Sequence, residues 1–578
     1  MHRHQHYEQD HRQDHRKGRR RRAGRPLRAV APGAAVLLAA AGCSSGGSGE
    51  AAGGTAVIAL IQEPGVLSPM FSSQSGSELT EAFVVEPMFL TRPDGEQEPY
   101  LAEEVPTEEN GGVSEDGLTV TYTLREGVTW SDGEPLTAED LAFTVDVAQD
   151  PDGAALPDPE YASVESTEVV DEQTLEVTMS DPQPGYLQLF QQILPEHEFD
   201  STAVQADDPQ ARMPLGTGPF VLADWASGDQ ITLERNEAYW RDPELPRLDG
   251  INVKIVPEAQ TALSGFINGD YDTVFFFTAG DLAEIGEAQA DGAQAEIATV
   301  PDMVGSVEWL WLNHSDGGDP DTPHPVLGDP AVREAIDRGI DREAIIDDVL
   351  KGYGTLSGSL VYSGIGASEL EPPGHDPDAA RRVLEEAGWE LGSDGVREKG
   401  GERASLRFQT ISGDQTRALY QQIIQQDMKD IGIELNIENV PSNRLFDSRD
   451  EGGLLASGDF DIAMSRDGLF PDPAIWLEVF ASRTIPSEEN PAGFSYSHWS
   501  NEEYDELEQT AATTIDPEER VEAVREADRI FTEERVAIPI YASAAGYAWN
   551  PTLTNVETDY WDGIWTPASS AEWALSAE

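Results

Sequence analysis

From residue 55 onward the apolar positions of this chain follow two rhythms, one of period two and one of period 3.6, interleaved along its length. "TAVIALI" (55–61) is short, apolar and rich in β-branched residues, which predicts a buried strand. In "VEWLWLN" (307–313), Val307, Trp309 and Trp311 alternate onto one face, and "IPIYASAAGYAW" (538–549) is strand-like too. "DFDIAMS" (459–465) adds another strand. Helices announce themselves by their caps. Thr137, after the turn "SDGEP", has Asp140 three residues on and then Leu141, Val145 and Ala148 on one face. Asp329-Pro330 precedes Val332, Ala335 and Ile336, and Asp341 precedes Ile345 and Val349. Asp376-Pro377 opens a helix with Ala380, Val383, Leu384 and Ala387 inward and Gly388 as its stop. "SLRFQT" (405–410), a helix through Leu419, Ile423 and Ile431 ending at Gly432, and "IELNI" (433–437) form a βαβ-like unit. The pattern is therefore mixed α/β throughout, without repeats. "PLGTGPFVLADW" (214–225) is a tight glycine turn before a strand. A phosphate loop would need wider glycine spacing, a following helix and usually a lysine.

At 578 residues two or three structural units are expected, and 39% apolar residues suffice for a core. Charge changes the picture more. Residues 1–42 hold ten of the 37 Lys/Arg and three of the 108 Asp/Glu, so the chain from Cys43 onward carries 27 basic and 105 acidic residues, a net −78. Such a surface repels phosphate backbones, which argues against a nucleic-acid partner. It also repels itself, so stability is expected to rise with salt. Cys43 is the single cysteine, which rules out an internal disulfide framework and cysteine-rich metal sites.

"RKGRRRRAGRPLR" followed by "AVAPGAAVLLAAAG" has the order of an export signal, basic then apolar, and its 14-residue apolar run broken by Pro32 is too short to span a bilayer. Residues 1–42 are expected to be removed as a signal peptide. The arginine run leaves Sec and twin-arginine export both open. Five of the ten histidines lie upstream of the signal and go with it. "AAGC" (40–43) resembles the lipobox of bacterial lipoproteins, with Ala40 where leucine is usual. That resemblance implies acylation of Cys43, which would anchor the protein to the outer face of the cell membrane through membrane lipid. Residues 43–54, rich in glycine and serine, then act as a flexible tether.

Six stretches, in order, resemble bacterial extracellular solute-binding proteins of family five, the peptide and nickel uptake group: "LREGVTWSDGEPLTAEDLAFTVD", "LGTGPFVLADWASGDQITLERNEAYW", "DPAVREAIDRGIDREAIIDDVLKGYG", "DPDAARRVLEEAGW", "IIQQDMKDIGIELNI" and "EERVEAVREADRIFTEERVAIPIYAS". The resemblance implies a two-lobed, periplasmic-binding-protein-like α/β clamshell (type II, cluster C-like) with an extra inserted subdomain. Lobe I would comprise 55–85, 206–306 and 545–578, the insertion 86–205, and lobe II 307–544, with hinge strands at 307–313 and 538–549. It further implies capture of a solute, an oligopeptide first among the candidates, and delivery to the permease and ATPase of an ABC importer by a monomer that uses no cofactor and catalyses nothing. Another solute (a sugar, an opine-like compound or another amphiphile) and a sensory co-receptor not coupled to uptake are the alternatives.

In peptide binders of that family, a segment like W-x-x-D-Y-P-D-P lines the cleft and its first acidic residue pairs with the peptide's amino terminus. Here "SRDGLFPDPAIW" (465–476) keeps Pro471, Asp472 and Pro473, but places Leu469 at the acidic position and Arg466 at the tryptophan. An ammonium buried without a partner costs several kcal/mol, so a free-amino peptide needs another carboxylate. Asp467 is the nearest, as a cleft anchor or as a solvated loop charge. Arg466 either clamps a guest carboxylate or pairs with neighbouring acids. Trp309, Trp311 and Trp499 either stack on a guest or pack in the core. No metal site is expected: His197, His314, His324, His375 and His498 are scattered, and "DGGDPD" (316–321) lacks the closing glutamate of an EF-hand loop. A serine hydrolase is disfavoured, because the one Gly-x-Ser-x-Gly match, "GCSSG" (42–46), straddles the cleavage site.

Overall fold

The computed structural model describes residues 53–576 apart from 73, 276, 301–305, 369, 469–471, 544 and 561–563. Twelve strands carry the architecture: β1 (Thr55–Leu60), β2 (Phe220–Ala226), β3 (Gln230–Arg235), β4 (Gly250–Ile255), β5 (Thr273–Val274), β6 (Glu296–Val300), β7 (Ser306–Leu312), β8 (Ser405–Gln409), β9 (Glu434–Ile437), β10 (Ile462–Gly468), β11 (Ala537–Ser543) and β12 (Ala545–Trp549). Strands β6-β12-β5-β1-β4-β3-β2, in that order, make a seven-stranded sheet in which β1, β4 and β5 are parallel. Strands β9-β8-β10-β7-β11 make a second sheet of five, with β8, β9 and β10 parallel. Each sheet organises one lobe.

Period-two alternation decides what each strand touches. Ala56, Ile58 and Leu60 of β1 face one core with Trp565 and Trp573, whereas Ala59 faces another with Phe266 and Leu282. On β7, Leu310 and Leu312 join a core covered by the helices Pro330–Gly339, Pro377–Glu386 and Gln415–Ile431, while Val307, Trp309 and Trp311 face the helix Pro517–Glu534. Between β1 and β2 lies a subdomain with its own three-stranded antiparallel sheet, in the order Thr119–Thr123, Thr174–Met179, Val164–Val169. The helix Ala138–Gln149 packs on it, and the core extends from Met88 to Ile193, with Tyr560 and Ala568 of the C-terminal region added.

The chain changes sheets twice, and the residues that flank the two crossings pair with one another. It passes from Val300 at the end of β6 to Ser306 of β7, and returns from Ser543 of β11 to Ala545 of β12; Val300 pairs with Ala545, and Ser306 with Ser543. An antiparallel ribbon therefore links the lobes. Two strands flanked by few residues of free connection can twist together, which is the geometry of a hinge.

Candidate functional site

The registers show what the hinge looks upon. Strand β12 runs antiparallel to β5, so Ala545 lies toward the carboxyl ends of β1 and β5; Gly468, the last residue of β10, pairs with Ser306 at the other side of the crossing. Both sheets thus turn the carboxyl ends of their parallel strands toward the ribbon. In open α/β sheets the crevice beyond those ends is where ligands bind. The described segments following β1, β8 and β9 border this crevice. Two contacts join the lobes: Tyr353 Oη donates to the Leu282 carbonyl at 3.1 Å, and Ile515 packs against the subdomain core.

A buried ionic cluster stands at the lobe II wall. Glu308 of β7 is opposite Arg466 of β10 and Tyr541 of β11, so pairing alone brings the three together. Glu308 is completely buried. Arg417 of the helix Gln415–Ile431 holds it with two bonds, Nε at 2.7 Å and Nη2 at 3.0 Å. A carboxylate buried this deeply needs such a partner. Arg466 approaches the same carboxylate with Nε at 3.5 Å and donates from Nη2 to Tyr541 Oη at 2.9 Å. Tyr541 and Tyr420 meet edge to face at 5.8 Å. Arg466 is 41% exposed, and its Nη1 has no hydrogen-bond partner among the described residues. Nearby Tyr541 and Glu308 hold its guanidinium firmly protonated despite partial burial. The result is a cation whose direction is fixed by Glu308 and Tyr541 and whose outer edge is open.

The other sequence-nominated residues fare differently. Trp309 and Trp311 are 1% and 2% exposed; Phe480 stacks on Trp311 at 5.1 Å, Phe531 abuts Trp309, and Trp311 Nε1 donates to Ser465 Oγ at 2.6 Å. Trp499 is 8% exposed and meets Tyr504 edge to face. All three are buried in one hydrophobic core; β7 turns its tryptophans away from the side bearing Glu308. Asp467 pairs through its backbone with Val307. Leu469 and Cys43 lie outside the described residues. Asp472 is structural: it caps the helix Pro473–Glu478 through the Ala474 N–H at 2.8 Å and takes Arg520 Nη2 at 2.5 and 2.6 Å. Asp132, His197 and Glu198 gather on the subdomain surface, where all three are exposed and His197 Nε2 lies 3.0 Å from Asp132. "DGGDPD" forms the turn of a hairpin, Ser315–Asp316 against Asp319–Pro323. Glu308 had a sequence signal that went unused: it is the one charge inside the apolar run "VEWLWLN".

Among the described residues no helix is long and apolar enough to cross a membrane. Protein XP55 of Streptomyces lividans is 29% identical over 560 residues, covering 94% of this chain and 92% of its own. The oligopeptide-binding protein OppA of Bacillus subtilis (strain 168) is 25% identical over 537 residues, 87% of this chain and 92% of its own. The crystal structure of the ABC transporter substrate-binding protein CtaP of Listeria monocytogenes superposes with a TM-score of 0.72 at 22% identity, covering 91% of this chain and all of that one. Its likeness establishes the two-lobed fold. Residues 96–485 match the profile described as bacterial extracellular solute-binding proteins, family 5 middle. With the hinge ribbon, the facing strand ends and two thirds of the chain in that match, this protein belongs to the family 5 bacterial extracellular solute-binding proteins.

Proposed function

We propose that this protein is the lipid-anchored, extracytoplasmic receptor of an ABC importer, and that it captures an oligopeptide between its lobes and hands it to the permease. One observation carries the reading: the open guanidinium edge of Arg466, fixed in direction at the carboxyl ends of the lobe II strands, suits a guest carboxylate. A peptide supplies that group at its C-terminus. The relative named an oligopeptide-binding protein, matched over 87% of this chain, supports the same class of guest. Closure follows from contacts that a guest makes with both lobes and that exist only when the ribbon has twisted shut. Nothing in the guest reacts; the acidic body and the signal-and-lipobox N-terminus suit display outside the membrane on a tether. Native mass spectrometry of the freshly purified protein tests the guest. Bound species with peptide masses and fragmentation are expected. A retained sugar or metal complex contradicts the oligopeptide assignment and leaves the fold untouched.

A further inference from the structure

Leu469 stands where peptide binders of this family carry an acid, so an amino terminus entering this cleft must find its counter-charge elsewhere. The lobe I wall offers one. Beyond β1 the chain runs through Met70 and Ser72 into the short helix Ser75–Glu81, and between this stretch and the subdomain lies a cavity of about 290 Å³. Leu156 and Tyr161 form part of its apolar wall, and Glu78 and Gln192 also line it.

Two buried side chains of this region are incomplete, Gln192 on the cavity wall and Glu81, which does not line the cavity, on the same helix as Glu78. Gln192 is 6% exposed; its Oε1 accepts from Ser68 Oγ at 2.9 Å and from the Met70 N–H at 3.2 Å, which fixes the amide, and its Nε2 is left without an acceptor. Glu81 is 5% exposed, and its buried Oε1 has no donor. Glu78 precedes Glu81 by three residues on the same helix, which places the two carboxyls as neighbours. No ion pair of either acid occurs among the described residues. Burial raises the affinity of both acids for their protons, and Glu78 adds to the effect at Glu81. Buried polar groups are normally satisfied, and unsatisfied ones mark places where something else is received.

We infer that Glu78 and Gln192, with Glu81 adding negative charge beside Glu78, receive the α-ammonium and first carbonyl of a peptide guest, taking over the anchoring that Leu469 cannot provide. An ammonium supplies the donors and the charge the two carboxyls lack. A peptide carries a carbonyl oxygen next to that ammonium, and Gln192 Nε2 is a donor waiting for an acceptor. A lysine side chain has no such neighbouring carbonyl, so the set favours an amino terminus. With Arg466 on the other lobe, the two ends of one peptide would each bind one lobe, which couples occupancy to closure.

This inference rests on the oligopeptide reading, and its test separates the two. The full chain is offered a random tetrapeptide library with free amino termini and the same library N-acetylated, and retained peptides are weighed by native mass spectrometry and competition. The free library is expected to bind at least about tenfold tighter, the usual effect of losing a charge-assisted hydrogen bond. Glu78→Gln and Glu81→Gln are expected to erase that preference without weakening the acetylated peptides. Glu78 lies on the exposed side of its helix, so its variant decides the matter even where Glu81→Gln fails to fold. Equal retention of both libraries by the unaltered protein, or a preference that survives Glu78→Gln, overturns the subsite and leaves the oligopeptide reading intact. Retention of neither library overturns that reading.

Discussion

Arg466 acquires its function from residues that are distant in sequence and adjacent in register. Its motif position nominated it, but Glu308 and Tyr541, the groups that aim it, become neighbours only when β7 pairs with β10 and β11. A single sequence does not state which strands pair, so the cluster was illegible although Glu308 stood out among apolar neighbours. The tryptophans illustrate the converse. Alternation correctly put Trp309 and Trp311 on one face, and what that face met, a core of Phe480 and Phe531, was decided by the helix packed over it. Arg466→Gln is expected to weaken a peptide with a free C-terminus by ten- to a hundredfold, about 1.5–3 kcal/mol, and to leave its C-terminal amide unchanged; calorimetric titration of both forms checks this. Asp528 makes a second residue-scale prediction. It is 1% exposed and accepts the Leu360 N–H at 2.7 Å, and burial pushes its carboxyl from the ordinary 3.8 up to about 7. The folded state therefore holds this proton more tightly than the unfolded chain does. Its contribution to stability is complete below about pH 4 and is lost as pH rises through 7. Asp528→Asn keeps a carbonyl acceptor and removes the titration, so urea unfolding at pH 5 and pH 8 is expected to show a smaller loss of stability in the variant than in the original.

At the scale of elements, caps and turns were the most legible features, because they act over three or four residues. Asp329, Asp341 and Asp376 each accept a backbone N–H at the start of the helix they were assigned, and Asp140 accepts from Thr137 at 2.9 Å. The helix begun by Asp341 is irregular, passing from Arg342–Ala344 into a wider π turn over Ile345–Val349. The helix Gln415–Ile431 stops at Gly432 in the left-handed region, φ 91°, as its sequence indicated. Its inward face is Tyr420, Ile424, Met428 and Ile431, however, and Leu419 is 56% exposed. The glycines of "PLGTGPF" do more than turn the chain. Gly216 and Gly218 press against residues 83–84, where the Gly218 N–H donates to the Val84 carbonyl at 2.8 Å, and a Cβ on Gly216 would stand 1.8 Å from that oxygen. Gly216→Ala is accordingly expected to cost more than about 2 kcal/mol, by forcing backbone apart in a packed region. A fall in the denaturant midpoint at unchanged slope checks it.

The whole molecule is two sheets whose parallel strands end at a shared ribbon. Family resemblance in six ordered stretches made this architecture readable from the sequence, whereas composition alone gave only a mixed α/β chain. The chain crosses between residues 300 and 306 and between 543 and 545, so the expected hinge segment 538–549 spans the second crossing, whereas 307–313 lies beyond the first, wholly within the lobe II sheet. Tyr353, two residues from the Thr355–Ala542 bridge, joins the lobes beside the ribbon and Ile515 joins lobe II to the subdomain, so the lobes can close on a guest by twisting the ribbon. Small-angle X-ray scattering of the full chain, with and without a peptide whose binding is confirmed by titration, tests this claim most directly. The bound protein is expected to give a smaller radius of gyration than the free protein. Superimposable profiles with the peptide bound would contradict a receptor that closes on its guest.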